Sequence, residues 1–583
     1  MNRAAFCVIN WRDDDPFARD RAHAAARAAS ASGQRDVAAG LNFKILSSHS
    51  ISYFETVGRG RVLIIGEASG DRLMSASDHA PIPEIPEADP VGAARDLIAT
   101  IWGGYVAVLV NIDGVALFAD PSGALPFDTI EGRGVNIATD DLTPELCRAI
   151  GHVPTIDWRS LVTTLIAPAT AVHLPHLVGV QPSVPGRLYP LGSTDPDTTI
   201  WSPVDLARGM SANPAASIRD AVDRSTAALG HAPCAMQLSG GLDSSIVLTS
   251  LCGAGLKPVS ITFATTALGG DERCYAQMIA EYCGSPLIAC EADRLPSYAS
   301  LFRHAPGAHP FIYGLDDVFE EAVTSAAREA GCERLLTGQG GDAAFFQPAT
   351  SLIAVDRARA LGLGPLALVP LIDDARRARS SIWHHLVPAV ADRFRPATVP
   401  TDRVAERLLT PKARALLGRQ IPLHPWLDGA DQLPPGKVMH IVMLANSQIF
   451  HARRPDPCGL ALRHPLLTQP VLEAVLPIPT YVLASGSNDR GLARATFADR
   501  LPAAIVERRV KGDAADHYSR GTLANLPFLR EMLLNGVLVR EGLVDADALA
   551  SVLTREHLFY SLDYRALVMH ATCEAWARYW TMG

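Results

Sequence analysis

The stretch Leu238-Ser239-Gly240-Gly241-Leu242-Asp243-Ser244-Ser245 constrains this 583-residue chain more than any other. The apolar run Cys234-Ala235-Met236-Gln237-Leu238 before it predicts a strand, and Ile246-Val247-Leu248-Thr249-Ser250-Leu251 after it predicts a helix. A strand feeding a Ser/Gly loop that opens a helix is a phosphate cradle. Glycines let the backbone approach an anion, and the N–H groups at the helix start point at it. The hydroxyls of Ser239, Ser244 and Ser245 add donors. Asp243 adds a carboxylate, which repels phosphate unless a cation lies between them, so the loop calls for a nucleotide with Mg2+. A bare Ser-Gly-Gly more often just caps a helix; the full string between strand and helix reverses that reading. The loop is not of the Walker type: Gly436-Lys437 is followed by Val438, with Asp431 where the first glycine would stand.

The length allows two to four domains. A net charge of −9 argues against a large nucleic-acid footprint. The ten cysteines form no C-x-x-C pair, so neither a zinc site nor a redox motif is indicated, and they read as reduced thiols of a cytoplasmic protein. The first residues hold too short an apolar run for a signal peptide. The richest apolar stretch, Leu361 to Ile372, is broken by Pro365 and Pro370, and no membrane span is expected.

Residues 1–205 read as one β-rich unit. Ala5 to Ile9, Arg61 to Ile65, Tyr105 to Asn111 and Val115 to Ala119 are strand-like, with a tight hairpin at Ile112-Asp113-Gly114. Asp120-Pro121-Ser122-Gly123 is a turn, Pro81 to Pro90 a surface loop, and Val178 to Asp197 the exit from the unit. Residues 206–583 form the second unit. A helix over 216–229 precedes the opening loop. Then come a strand Pro258 to Phe263, a helix Glu272 to Cys283, a strand Pro286 to Ala289, a helix Leu315 to Ala330 and a strand Arg334 to Thr337. This alternation predicts a parallel sheet covered by helices, with ligands beyond the carboxyl ends of the strands. From about residue 350 the chain reads as mostly helical.

Two loops leaving those strand ends carry acids: the opening loop, and Thr337-Gly338-Gln339-Gly340-Gly341-Asp342. Asp243 and Asp342 are the expected Mg2+ ligands, since two carboxylates around one hard cation can also bridge phosphates; the bland alternative is that Asp342 caps the next helix. In the basic stretch from Arg490 to Arg520, Lys511 beside Gly512 is the candidate for neutralising charge at a reacting centre. Asp271-Glu272 suits a helix start with or without a substrate contact. His384 and His385 lack a third ligand, and His424 and His464 precede prolines as turn residues.

Together these pieces resemble the asparagine synthetase superfamily. Ser239–Ser245 is similar to its pyrophosphate loop, Gly270-Asp271-Glu272-Arg273-Cys274-Tyr275-Ala276 to its acidic helix start, and Thr337–Asp342 to its second nucleotide loop. His464-Pro465-Leu466-Leu467-Thr468, Leu501-Pro502-Ala503-Ala504-Ile505 and Arg509-Val510-Lys511-Gly512 resemble its C-terminal run ending in a catalytic lysine. The resemblance implies an α/β protein: a glutaminase-like β-rich sandwich, then a parallel-sheet adenine nucleotide α-hydrolase-like synthetase domain with a helical C-terminal part. It further implies ATP and Mg2+ as cofactors, a nucleotide pocket that includes Leu238, Phe263, Thr337 and Gly338, and Lys511 as a catalytic residue with Asp243 and Asp342.

Trp102-Gly103-Gly104-Tyr105-Val106-Ala107 and Asp120-Pro121-Ser122-Gly123-Ala124-Leu125-Pro126 resemble the family's glutaminase domain. A working glutaminase there needs a cysteine exposed directly after Met1, its own amine acting as base. Here residue 2 is Asn2, and Cys7 falls within a predicted strand, so the glutaminase is expected to be inactive and the amine to come with the substrate. Among members of that kind the chain most resembles the lasso-peptide cyclases. This implies a core-peptide substrate, a leader peptidase and a leader-binding partner. A β-lactam synthetase, an asparagine-synthetase-like ligase and a non-catalytic scaffold remain alternatives. Gln339 stands where the family's second loop carries Glu, and an amide cannot act as a base. Asp373 and Asp374 are suggested in its place without a motif behind them.

Overall fold

A computed structural model describes residues 4–582 except 13, 57–59, 71–72, 76–88, 112–113, 194–196, 265–270, 292–293, 365–367, 393, 396–405, 419–420, 452–459 and 510–514. Asn2, the hairpin residues Ile112 and Asp113, most of the expected loop from Pro81, Gly270 and Lys511 therefore lie outside the described residues.

The protein is mixed α/β. Its N-terminal part pairs a six-stranded and a seven-stranded antiparallel sheet. Period-two alternation explains their packing. In strand Phe6–Trp11, Phe6 and Val8 join the core between the sheets, while Cys7, Ile9 and Trp11 join a second core outside. In strand Ile101–Asn111, Val106, Val108 and Val110 face inward, and Tyr105, Ala107 and Leu109 face the rest of the protein. Helix Pro16–Ala31 lays a stripe of buried alanines on the outer core, and the Asp15 carboxylate caps it by accepting from Phe17 N at 2.9 Å.

Two segments differ from what their sequence predicts. Val178 to Asp197 is not simply an exit: Val180–Pro182 is an edge strand of the six-stranded sheet, and Arg187–Leu191 pairs into the seven-stranded one. Backbone pairing absorbs prolines at sheet edges, where no ladder donor is required of them. Pro90 does not close a loop but opens helix Pro90–Thr100, with Asp89 accepting from Gly92 N at 2.7 Å.

The second part is built on a five-stranded sheet in the order Leu287–Glu291, Val259–Ala264, Cys234–Gln237, Arg334–Leu336, Ala461–Arg463, every neighbouring pair parallel. The short edge strand Ala461–Arg463 is an addition to the expected β-α-β-α-β order. The first strand in sequence lies at the centre, so the strand order reverses between Cys234–Gln237 and Arg334–Leu336. That reversal opens a crevice at their carboxyl ends. Helices dominate from Leu352 onward.

The two parts share apolar cores. One runs from Val62, Ile64, Tyr105 and Phe118 through Trp201 and Val204 to Ile218, Val222, Met236 and Ile246. Each fully buried aliphatic side chain there contributes about 1.5–3 kcal/mol. Polar pins add to it. Glu67 of the N-terminal sheet pairs with Arg334 at 2.9 Å and Arg463 at 2.7 Å, both on strands of the parallel sheet. Burial disfavours the Glu67 carboxylate, but the two arginines outweigh it and hold its pKa below the ordinary range. Among the described residues no helix is long and apolar enough to cross a membrane.

Candidate functional site

The opening loop turns sharply out of its strand because Gly240 adopts φ +68° and presses on helix Arg273–Cys283. A Cβ there would lie 2.5 Å from the Tyr275 carbonyl carbon and the Ala276 nitrogen. Gly241 caps helix Leu242–Gly253, which places Asp243 in the first turn, at the positive end of the helix dipole. The second loop packs directly on the first. A Cβ at Gly341 would fall 2.3 Å from the Asp243 carboxyl carbon, so only glycine lets the two loops meet.

Between them opens a cavity of about 450 Å³. Ser239, Gly241, Asp243, Ser244, Thr337, Gly338 and Asp342 line it, as does Gln339. Four other predicted residues do not. Leu238 is buried in the core with its N–H donating to Ile261 O at 2.8 Å, and the Gly240 carbonyl accepts from Arg508 at 3.1 Å. Ser245 is fully buried in the helix. Phe263 sits on its strand with its ring against Phe319, centroids 4.3 Å apart. Arg509 lines the cavity just before the undescribed segment that holds Lys511.

The centre of the site is Arg490, which in the sequence is one of several arginines in the basic stretch from 490 to 520. Arg490 is 5% exposed and its Nη1 donates to Asp243 Oδ2 at 2.5 Å and to Asp342 Oδ1 at 2.6 Å. Its Nη2 lies 2.6 Å from Asp489, which Arg494 holds from the other side at 2.5 Å. Burial disfavours the guanidinium charge, but Asp243, Asp342 and Asp489 outweigh it and raise its pKa further. The Arg490 backbone is left-handed, φ +53°, an uncommon conformation for a side-chain-bearing residue. The only hint in the sequence was the polar cluster Asn488-Asp489-Arg490 ahead of a helix; its partner Asp243 is 247 residues away.

The donor set fits a hard divalent cation. Two carboxylates converge on one point, and a guanidinium nitrogen stands there as the positive charge. Among the described residues no third carboxylate, His or Cys completes a metal cluster, so the remaining ligands of Mg2+ would be phosphate oxygens and water.

The other sequence-singled groups act as supports. Glu272 pairs with Arg508, whose guanidinium also lies 3.9 Å over the Tyr275 ring, while Asp271 pairs with Arg273 at 2.8 Å. His464 Nε2 must donate to the Phe450 carbonyl at 3.0 Å, which leaves Nδ1 to accept from the Thr337 hydroxyl at 2.7 Å. That hydroxyl in turn accepts from Gln339 N–H at 3.1 Å, so His464 shapes the second loop. His385 is buried, at 2.9 Å from the Ser380 hydroxyl. Asp374 is buried between Arg357 and Arg377, and neither it nor Asp373 lines the cavity. Asp489, the other acid in the cavity wall, is held below the ordinary carboxylate range by Arg490 and Arg494 against the opposing effect of burial, which makes it a poor base.

Behind the second loop, Lys437 is buried beside His440, 3.1 Å from its Nδ1, and His440 Nε2 reaches the Ala344 carbonyl at 3.3 Å. Burial pushes the Lys437 ammonium down to about 7 and the nearby Asp356 carboxyl up to about 6. An unfolded lysine binds its proton up to about 10.4, so between about 7 and 10 the unfolded state holds more protons at this group. Stability limited by Lys437 must therefore rise with pH across that window. Lys437→Met should raise the melting temperature most at pH 7 or below, with the gain shrinking toward pH 10, where the lost hydrogen bond from Lys437 Nζ to the Ile478 carbonyl is no longer offset. Thermal melts at a series of pH values check this, and a gain constant with pH would contradict it.

A model of the asparagine synthase family matches residues 215–578. No curated protein matches the chain. The matched span holds both glycine loops, the two converging carboxylates, Arg490 and the whole parallel sheet. The chain belongs to the asparagine synthase family, which makes it a member of a group of ATP-dependent ligases that form carbon–nitrogen bonds.

Proposed function

We propose that the protein closes a macrolactam ring in a lasso peptide, joining an Asp or Glu side chain of the core peptide to the peptide's own α-amine. One observation carries the ligase half of this reading: Asp243 and Asp342 converge with both glycine loops on one cavity. Asp243 and Asp342 would hold Mg2+, whose charge offsets that of the phosphates. The backbone N–H groups of the opening loop receive the leaving pyrophosphate. The substrate carboxylate attacks the α-phosphorus of ATP, pyrophosphate departs, and the amine displaces AMP from the acyl-adenylate. Lys511 neutralises charge in that second step. Gln339 cannot take the amine's proton, which leaves through phosphate or water.

The N-terminal sheets support an amine that arrives on the substrate. Residues 1–205 contain two cysteines, Cys7 and Cys147, and both are buried. Burial pushes the Cys7 thiol far above its usual range and the Cys147 thiol up to about 12, so neither offers a thiolate for releasing ammonia from glutamine. The peptide class rests on the resemblance of the Trp102–Ala107, Asp120–Pro126 and His464–Leu467 segments to lasso-peptide cyclases. The expected partners are the precursor peptide, a leader peptidase and a leader-binding protein.

ATP–pyrophosphate exchange tests the reading. Exchange driven by a core peptide but not by free aspartate, with mass spectrometry showing loss of one water from the peptide, is the expected result. Exchange with a small amino acid instead would move the assignment to a small-molecule amide ligase. Bound Mg-ATP without any exchange would leave only a scaffold.

A further inference from the structure

Helix Ile382–Ala391 contains no charged Asp, Glu, Lys or Arg. A surface helix normally turns such residues outward. Here the outward stripe is Trp383, Val387 and Val390, spaced i, i+4, i+7 and 66%, 58% and 52% exposed. Phe394 extends it. The neighbouring helix Leu368–Ala378, packed against the first through a short turn at Arg379, adds exposed Val369 and Ile372.

This stripe is not left over from poor packing. The opposite side of the hairpin is already anchored: Leu371 and Ala389 join a core with Ala354 and Ala358, Asp374 is clamped by Arg357 and Arg377, and Arg377 Nη1 donates to Gly486 O at 2.7 Å. The fold therefore does not need the outward residues.

The charges at its border decide what it meets. The chain as a whole is acidic, yet Arg376 and Arg379 are exposed at the turn end of the hairpin. Of the hairpin's acids, Asp374 is buried in its arginine pairs, Asp392 pairs with Arg395 at 2.7 Å, and Asp373 is half-buried. A second copy packed two-fold on this face would set that arginine end against the Asp392–Arg395 end, where the acid is already paired, and would offer the arginines no free anion. Anionic headgroups would pair with them while the apolar stripe enters the boundary of the acyl chains.

We infer that this helical hairpin is a membrane-surface anchor that binds anionic bilayers in the plane of the interface. The test is vesicle flotation of the full-length protein. Wild type should float with phosphatidylglycerol-containing vesicles and not with pure phosphatidylcholine vesicles, and rising salt should weaken the binding. Trp383→Asp with Val387→Asp, and separately Arg376→Glu with Arg379→Glu, should each cut binding at least ~10-fold. Unchanged melting curves and ATP–pyrophosphate exchange would show that both variants remain folded. Failure of wild type to float, equal binding to both vesicle types, or equal binding by the variants would overturn the inference. Sedimentation as a dimer that Trp383→Asp with Val387→Asp splits, without vesicle binding, would also overturn it and give the face to a second copy.

Discussion

Asp243→Asn should lower both ATP–pyrophosphate exchange and peptide dehydration by at least ~10²–10³-fold, the scale of losing one preorganised charge-stabilising group at a reacting centre. The substitution keeps the size of the side chain, so the close approach of Gly341 survives. What is lost is one of two negative charges. The first-turn position of Asp243 suits an acid on dipole grounds alone, so a purely structural role predicts a small fall in stability and normal exchange. Melting curves taken beside exchange rates separate the two. If Asp243→Asn leaves dehydration intact, the adenylation mechanism is wrong.

Arg490→Ala should have the largest effect on the resting protein. It removes the guanidinium that Asp243, Asp342 and Asp489 share in this largely buried charge cluster, a loss that typically costs about 3–5 kcal/mol. Without nucleotide the melting temperature should fall by several degrees. Mn2+, used as a spectroscopic stand-in for Mg2+, should then bind the nucleotide-free variant at least ~10-fold more tightly than wild type, since no guanidinium competes for the carboxylates, and should restore part of the lost stability. Electron paramagnetic resonance titration and melts with and without Mn2+ report on this directly. Arg490→Lys should restore the charge but not the fork that spans three carboxylates, and should fall between the two. If Mn2+ binds wild type and Arg490→Ala alike, Arg490 does not occupy the cation position.

Much of the synthetase fold was legible because its signals are local. The helix from Glu272 to Cys283 and the strands on either side announced themselves by periodicity and flanking glycines, and the observed boundaries lie within two residues of those expected. The short edge strand Ala461–Arg463 was not legible, because three half-buried residues hold their place by pairing with Arg334–Leu336 and carry no pattern of their own. Val178 to Asp197 misled for a related reason. Its prolines and glycines are turn signals, and only pairing with distant strands made parts of it sheet.

The candidate site divides along the same line. The order of residues alone places a strand, a Ser/Gly loop and a helix start together around Asp243, because glycine content and helix entry are properties of neighbouring residues. It also pointed to Asp342, since a parallel sheet sends its loops to one edge. It took the packing of the folded chain to show that Leu238, Gly240, Ser245 and Phe263 stand off the cavity, that His464 shapes the second loop, and that Arg490 bridges the two carboxylates. Those facts depend on backbone groups, charges and rings brought together from separate parts of the chain. Pairing of that kind is set by how the layers pack, and no local pattern of residues encodes it.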